Sequence, residues 1–515
     1  MMEQIELTTE EITAGAELTS NGCIFSSRKK TKVAIIGAGF TGLCAARHVC
    51  SEGSGMTGVV FEQSSNIGGT WVYTDETGKD KFGIPIHSNL YHDLWTNLPK
   101  EVMAFPDFKY RENEKSYLHS SEVLQYLHDY AENFNLSQHV KLNHLVKCVA
   151  PLGKSWSVSV VDLVTNVEHV STYDAVMVCS GSNIIPVYPK LEGFAKFSGR
   201  QLHSKEFRRA SAFTGKRVLI IGLGPSGIDI AYKLIGHVEK IIVSHNKGSK
   251  NKDQPVKNKK ESPVKMKEIK GVTLKPEVEF LEDKTITFVD GTTEDVDVII
   301  YCTGYTYHYP FLTKDCGITV DQCVYPLYLH FINIEHPTMG LFGIPRPVPH
   351  HYMVDYQIRT FIKILKGEVQ LCEKMNMEKE VEDQMRIKCE NLPKKYFHRI
   401  KSQEEVFEFF KQLAELGQLD PVPTVLIKAF FDAVQNAIRD FEFYRKSVYK
   451  FIDDENFVVV NPTVDAHESN TIELNQNSQG REINEKKDGE ESNNKCDQKA
   501  HKNCTQNVEH TIHIC

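Results

Sequence analysis

Two stretches of this chain are near-copies of one another, and the pair constrains the fold more than any other feature. Val33-Ala-Ile-Ile-Gly-Ala-Gly-Phe-Thr-Gly-Leu-Cys-Ala-Ala46 and Val218-Leu-Ile-Ile-Gly-Leu-Gly-Pro-Ser-Gly-Ile-Asp-Ile-Ala231 agree at seven of fourteen positions. Each reads as a short apolar strand, a Gly-x-Gly-x-x-Gly turn and a helix. Downstream of each comes a second apolar run closed by a small-residue turn, Val176-Met-Val-Cys-Ser-Gly181 and Ile299-Ile-Tyr-Cys-Thr-Gly304. A strand–turn–helix of this kind places backbone N–H groups and a helix N-terminus against a pyrophosphate.

The expected fold is therefore α/β, with two Rossmann-like dinucleotide-binding domains, the second inserted in the first. At 515 residues the chain is too long for a single core. The reading divides it into a flexible N-terminal segment (1–30), the first unit (31–207), the inserted unit (208–303), the remainder of the first unit with C-terminal helices (304–461) and a tail (462–515). The tail is rich in Asn, Glu, Lys and Gln and too poor in apolar residues to offset its ordering entropy, so disorder is expected there. Asn246 to Lys270, with nine lysines against three acidic residues, reads as a solvated basic loop.

Composition excludes several classes. A net charge of -8 gives no reason to expect nucleic acid or an anionic membrane as partner. Thirteen cysteines without a CxxC pair read as reduced thiols, not as a disulfide framework or zinc site. No metal-ligand pattern is expected among the histidines. No apolar run reaches the roughly 18 residues that span a bilayer, and Met1–Gly22 has no apolar core of a secretory signal. Val422 to Phe441, the nearest candidate, is broken by Lys428, Asp432, Arg439 and Asp440 and reads as an amphipathic helix. The expectation is a cytoplasmic protein, with peripheral attachment at the endoplasmic reticulum as the alternative and a homo-oligomer left open.

The two turns differ at one informative place. In the first, Gly37, Gly39 and Gly42 are followed by a strand ending in Glu62, twenty residues after Gly42. A carboxylate there can accept both hydroxyls of an adenosine ribose. In the second, Gly222, Gly224, Ser226 and Gly227 are followed by a strand ending in Ser244-His245-Asn246-Lys247, with no carboxylate. Ser244 and Lys247, with Lys250 behind them, could receive a 2′-phosphate, which favours NADPH over NADH. The alternative for Lys247 is simply the first lysine of the basic loop.

Several flavoenzyme groups nest one nucleotide unit in another. The disulfide reductases among them place a cysteine pair after a Gly-Gly-Thr, but Gly68-Gly69-Thr70-Trp71-Val72 has none. Phe197-Ser-Gly-Arg-Gln-Leu-His-Ser-Lys-Glu-Phe207 fits the pattern FxGxxxHxxx(Y/F) of the flavin-containing monooxygenases. Thr96-Asn97-Leu98-Pro99-Lys100-Glu101 resembles their TNxPKE segment, Cys302-Thr303-Gly304-Tyr305 their ATGY turn, and Gln357 a position near the flavin. The resemblance spans about Thr31 to Lys450. It implies FAD on the first turn, with Gly69, Trp71, Thr96, Asn97 and Gln357 beside it, and NADPH on the second, with His203 in a linker touching it.

The implied reaction is oxygenation by O2 of a nucleophilic nitrogen or sulfur in a small molecule, through a C4a-hydroperoxyflavin shielded by bound NADP+. Asn97 is the implied catalytic residue; the competing reading makes it a turn residue ahead of Leu98-Pro99. The family usually carries an arginine near the second nucleotide's phosphate, where this chain has His245, Asn246 and Lys247. An NADPH oxidase of the same fold, releasing hydrogen peroxide, is the rival activity.

Overall fold

The computed structural model describes residues 30–182, 184–245 and 271–460. The N-terminal segment expected to be flexible, the tail from 462, and the basic stretch with Lys247 and Lys250 lie outside the described residues. In chain order the frame is β1 (Thr31–Ile36), α1 (Phe40–Val49), β2 (Met56–Phe61), β3 (Val140–Lys141) and β4 (Ala175–Val178). Then come β5 (Arg200–His203), β6 (Arg217–Ile221), α2 (Pro225–Leu234), β7 (Lys240–Ser244), β8 (Val272–Lys275) and β9 (Val298–Tyr301). Last are β10 (Leu327–Tyr328), β11 (Ile332–Asn333), β12 (Met339–Leu341), α3 (His350–Lys366), α4 (Gln403–Gly417) and α5 (Thr424–Arg439).

The first sheet has the order β10-β11-β12-β4-β1-β2-β3, and β1 to β4 and β12 run parallel. The second, β8-β7-β6-β9-β5, is parallel throughout. Both central strands are buried on both faces, which is why they read as unbroken apolar runs without alternation. Val33 and Ile35 of β1 pack toward α1, α3, α4 and α5 with Leu43, Phe361, Phe410 and Phe430. Ala34 and Ile36 pack toward an antiparallel three-stranded sheet that supplies Val146, Val149, Trp156 and Val158. The inserted unit repeats the plan: Val218 and Ile220 meet Ile230, Ala231 and Leu234 of α2, while Leu219 meets Val278, Leu281, Ile286 and Phe288.

One boundary moves. β5, assigned by sequence to the first unit, is the edge strand of the second sheet, with Leu202 opposite Ile300 and His203 opposite Tyr301. The segment that carries the FxGxxxHxxx(Y/F) pattern therefore enters the inserted unit before residue 208. Four residues with three polar side chains gave no periodicity by which to place them.

Val422 to Phe441 does contain an amphipathic helix, α5, with Phe430, Phe431 and Val434 buried and Lys428 and Arg439 exposed. Among the described residues no helix is long and apolar enough to cross a membrane.

Candidate functional site

The two glycine turns are built alike. Gly37 (φ +100°) and Gly222 (φ +109°) adopt a left-handed conformation, and a Cβ on either would run into the carbonyl of the strand alongside, at Cys179 or Cys302. A Cβ on Gly42 or Gly227 would collide with the carbonyl of Gly37 or Gly222. The middle glycines are different. A Cβ on Gly39 meets nothing closer than the Gly69 Cα at 3.5 Å, and one on Gly224 meets nothing within 4 Å. The outer two glycines are required by the chain itself, whereas the middle one leaves open space.

Gly39 and Gly224 are also the N-caps of α1 and α2, with no side-chain cap and no acidic residue in the first turn of either helix. The free N–H groups and positive helix end at each turn are left for an anion. The hydroxyl of Ser226, half-buried in the first turn of α2, makes no hydrogen bond among the described residues.

The rim of the first turn is polar. Glu62 follows β2 directly, is 5% exposed, and accepts from Ala38 N (2.8 Å) and Ser64 N (2.9 Å). The Gly68–Trp71 loop lies on the turn, with Gly68 N donating to Ala38 O at 2.9 Å. Gln357 of α3 is fully buried; its Oε1 accepts from Gly343 N at 3.3 Å, and its Nε2 has no partner. Gly343 in turn lies beside Thr41 of α1. The Trp71 indole N–H and the Ser180 hydroxyl, the latter just past β4, are buried and unpartnered too. Leaving such donors unsatisfied costs about 1–3 kcal/mol each, so the set points to a ligand rich in acceptors.

The second turn has another rim. Ile36 of β1 pairs with Phe61, and Ile221 of β6 pairs with Ser244. Gly37 N donates to Phe61 O, and Gly222 N donates to Ser244 O. By register the counterpart of Glu62 is therefore His245, and Ser244 is one residue too early. Side chains alternate along a strand, so that slip turns Ser244 inward. It is 2% exposed and donates to Pro276 O at 2.7 Å, which removes it from the phosphate-facing set.

His203 also leaves the set. It is fully buried at the end of β5, with Nε2 donating to Gly304 O (3.1 Å) and Nδ1 accepting from Lys205 N (3.1 Å). Burial pushes its pKa down to about 4, so the neutral ring braces two backbone segments and has no nitrogen left for a nucleotide. Thr96 is likewise committed: its N donates to Leu118 O (2.8 Å), its Oγ1 accepts from Leu118 N (3.0 Å), and it is 2% exposed. Asn97, next in the chain, is half-buried and its amide makes no hydrogen bond among the described residues. A well-held backbone thus presents a free amide. Lys100 of the same motif is structural, its ammonium bonded to Asn113 and Lys115 O.

A family model described as Flavin-binding monooxygenase-like matches residues 30–258 and 250–441. The chain belongs to that family. This monooxygenase is 30% identical over 442 residues to senecionine N-oxygenase of Tyria jacobaeae, covering 84% of this chain and 93% of that protein. It is 33% identical over 385 residues to flavin-containing monooxygenase FMO GS-OX5 of Arabidopsis thaliana, covering 72% and 81%. Among solved structures it resembles S-allyl-L-cysteine S-oxygenase from Allium sativum, with TM-score 0.73, 28% identity and 81% and 95% of the two chains covered. The resemblance read from the motifs is thereby established, as are the two-unit fold and the flavin-dependent monooxygenase class. A flavin fits the first turn, since the unpartnered donors of Trp71, Ser180 and Gln357 meet the acceptor-rich chemistry of its ring.

Sequence reasoning missed what joins the monooxygenase's two units. Arg208 donates to the carbonyls of Glu76, Ser88, Lys205 and Phe207, tying the linker after β5 to the loop behind Trp71. Arg209 adds a bidentate pair with Asp75. Asp229, on the buried face of α2, accepts from Tyr91 and pairs with Arg445 at 2.9 Å. The available signal was a carboxylate among the apolar residues Ile228, Ile230, Ala231 and Leu234. Its partners, far away in sequence, were not legible.

Proposed function

We propose that FAD occupies the first turn and NADPH the second, and that the enzyme uses O2 to oxygenate a nucleophilic nitrogen or sulfur of a small molecule. The observation that carries this reading is one turn built twice with different rims. Around the first stand unpartnered donors and a ribose-accepting carboxylate, Glu62. At the same register in the second stands His245, which does not repel a 2′-phosphate as a carboxylate would. Bound flavin supplies hydride acceptance from the nicotinamide and activation of O2, so the side chains need only bind, orient and exclude water.

In this scheme α1 and α2 hold the two pyrophosphates, and Trp71, Ser180 and Gln357 fix the flavin ring. Asn97 offers its free amide at the oxygen side of the ring, held still by the Thr96–Leu118 ladder. The relatives named for N-oxygenation and S-oxygenation support a soft nucleophile as substrate. The test is NADPH consumption by purified protein against tertiary amines, thioethers and thiocarbonyls, with product and hydrogen peroxide measured together. Product formed in proportion to NADPH bears the reading out. Stoichiometric peroxide without product from any of them would favour the oxidase instead.

A further inference from the structure

We propose that Asp229 and Arg445 are positioning residues that couple occupancy of the second nucleotide turn to the placement of Asn97. The proposal rests on the reading of that turn as the NADPH site.

The argument starts from a buried charge. The N-cap of α2 is Gly224, on the turn itself, and Asp229 lies five residues on, about 7.5 Å along the axis. Its carboxylate is 7% exposed on a helix face otherwise apolar. Burying an ion pair has a desolvation cost that an apolar pair of similar volume avoids, so simple packing of α2 against its neighbours does not call for it.

Every bond the carboxylate makes leaves the inserted unit. One oxygen accepts from the Tyr91 hydroxyl; the other meets Arg445 Nη1 at 2.9 Å. Arg445 then donates from Nε to the carbonyl of Thr96 at 3.0 Å. That carbonyl belongs to the peptide joining Thr96 to Asn97. A second strut runs parallel, from Lys233 of α2 to the carbonyl (2.7 Å) and carboxylate (2.8 Å) of Asp93. The helix whose first turn would carry the pyrophosphate is thus wired through one guanidinium to the backbone that presents the Asn97 amide. Arg445 has the geometry for this because its planar fork bonds two acceptors in fixed directions, which a lysine ammonium does not reproduce. Fixing α2 with a bound dinucleotide therefore fixes residues 94–98, and the amide is set when the nucleotide is in place.

The test uses the FAD-loaded enzyme and NADP+, read by hydrogen–deuterium exchange. In the wild-type protein NADP+ is expected to slow exchange in two places, at 224–228 and, about threefold or more, at 94–98. In Asp229→Asn/Arg445→Gln, which removes both charges together, slowing at 224–228 should persist while that at 94–98 is lost. Peroxide released per NADPH should rise severalfold in the same variant, with flavin content unchanged. Equal NADP+-dependent slowing of 94–98 in both proteins would overturn the proposal and leave the network a static brace. Absence of any NADP+ effect at 224–228 in the wild type would overturn the NADPH assignment itself. If the double variant does not retain flavin, Arg445→Lys, which keeps the charge but cannot bond the Asp229 carboxylate and the Thr96 carbonyl in the same fixed directions, is judged by the same criterion.

Discussion

The first and inserted units share a plan down to individual carbonyls, yet they diverge sharply at their rims. The shared parts are those the chain needs for itself: a left-handed glycine beside a strand carbonyl, and a bare helix position against the turn. The divergent parts face outward into the space that the middle glycines leave. Conformation has been copied where folding demands it, and chemistry has been free to vary where a ligand would decide.

Substitutions at the middle glycines cut between folding and binding most cleanly. Gly39→Ala is expected to abolish flavin content, because the methyl enters the space of a pyrophosphate, while the melting temperature of the flavin-free chain stays near wild type. Flavin-to-protein ratio and calorimetry of the stripped protein check both halves. Full flavin retention would mean that the first turn is not the FAD site. Gly224→Ala should keep its flavin and raise the KM for NADPH about tenfold or more; an unchanged KM would break the parallel between the two turns.

The register finding gives the next, smaller effect. His245→Glu restores to the second unit the carboxylate of the first, and should cut the NADPH/NADH ratio of kcat/KM about tenfold, roughly 1.4 kcal/mol. No change in that ratio would show that the phosphate is read elsewhere. At the first rim, Gln357→Leu removes a buried donor that has no partner among the described residues. Flavin affinity should fall about fivefold, whereas the flavin-free chain should stay within about 1 kcal/mol of wild type, because relief of the unpartnered amide N–H offsets loss of the acceptor of Gly343 N. Titration of stripped protein with FAD, beside its melting curve, tells the two apart; weakened stability without weakened binding would make Gln357 a purely structural residue.

The smallest effect concerns His203. Its pKa is lowered on folding, from about 6.5 to about 4. Protonation thus favours the unfolded chain, so the stability the neutral ring contributes is complete above pH 6.5 and lost as pH falls toward 4. His203→Gln should flatten the fall in melting temperature over that window by up to one proton's share. An identical slope would show that other buried histidines account for all of it.

What was legible in the sequence was what repeats locally. Strand β1, the turn and α1 are contiguous, and so are β6, the turn and α2, so their periodicity and glycine spacing sufficed. Ser244 failed because two residues at a strand end differ only by register, which depends on hydrogen bonds to β6 and β8. His203 failed because its burial depends on Gly304, a hundred residues later. The Asp229–Arg445 pair lay out of reach because two regions that only the tertiary fold brings together define it.

The placement of β5 has a further consequence, for the order in which the molecule can assemble. The inserted sheet draws all its strands from one uninterrupted stretch, Arg200 to Tyr301, whereas the first sheet must wait for β12 to close against β4. On a ribosome every strand of the guest sheet would have emerged before β12 of the host. A nascent chain stalled once β9 has emerged should already carry a protease-resistant second unit while the flavin-binding frame is still open at its edge. The glycine turn of the insert would then be framed by its complete sheet before that of the host.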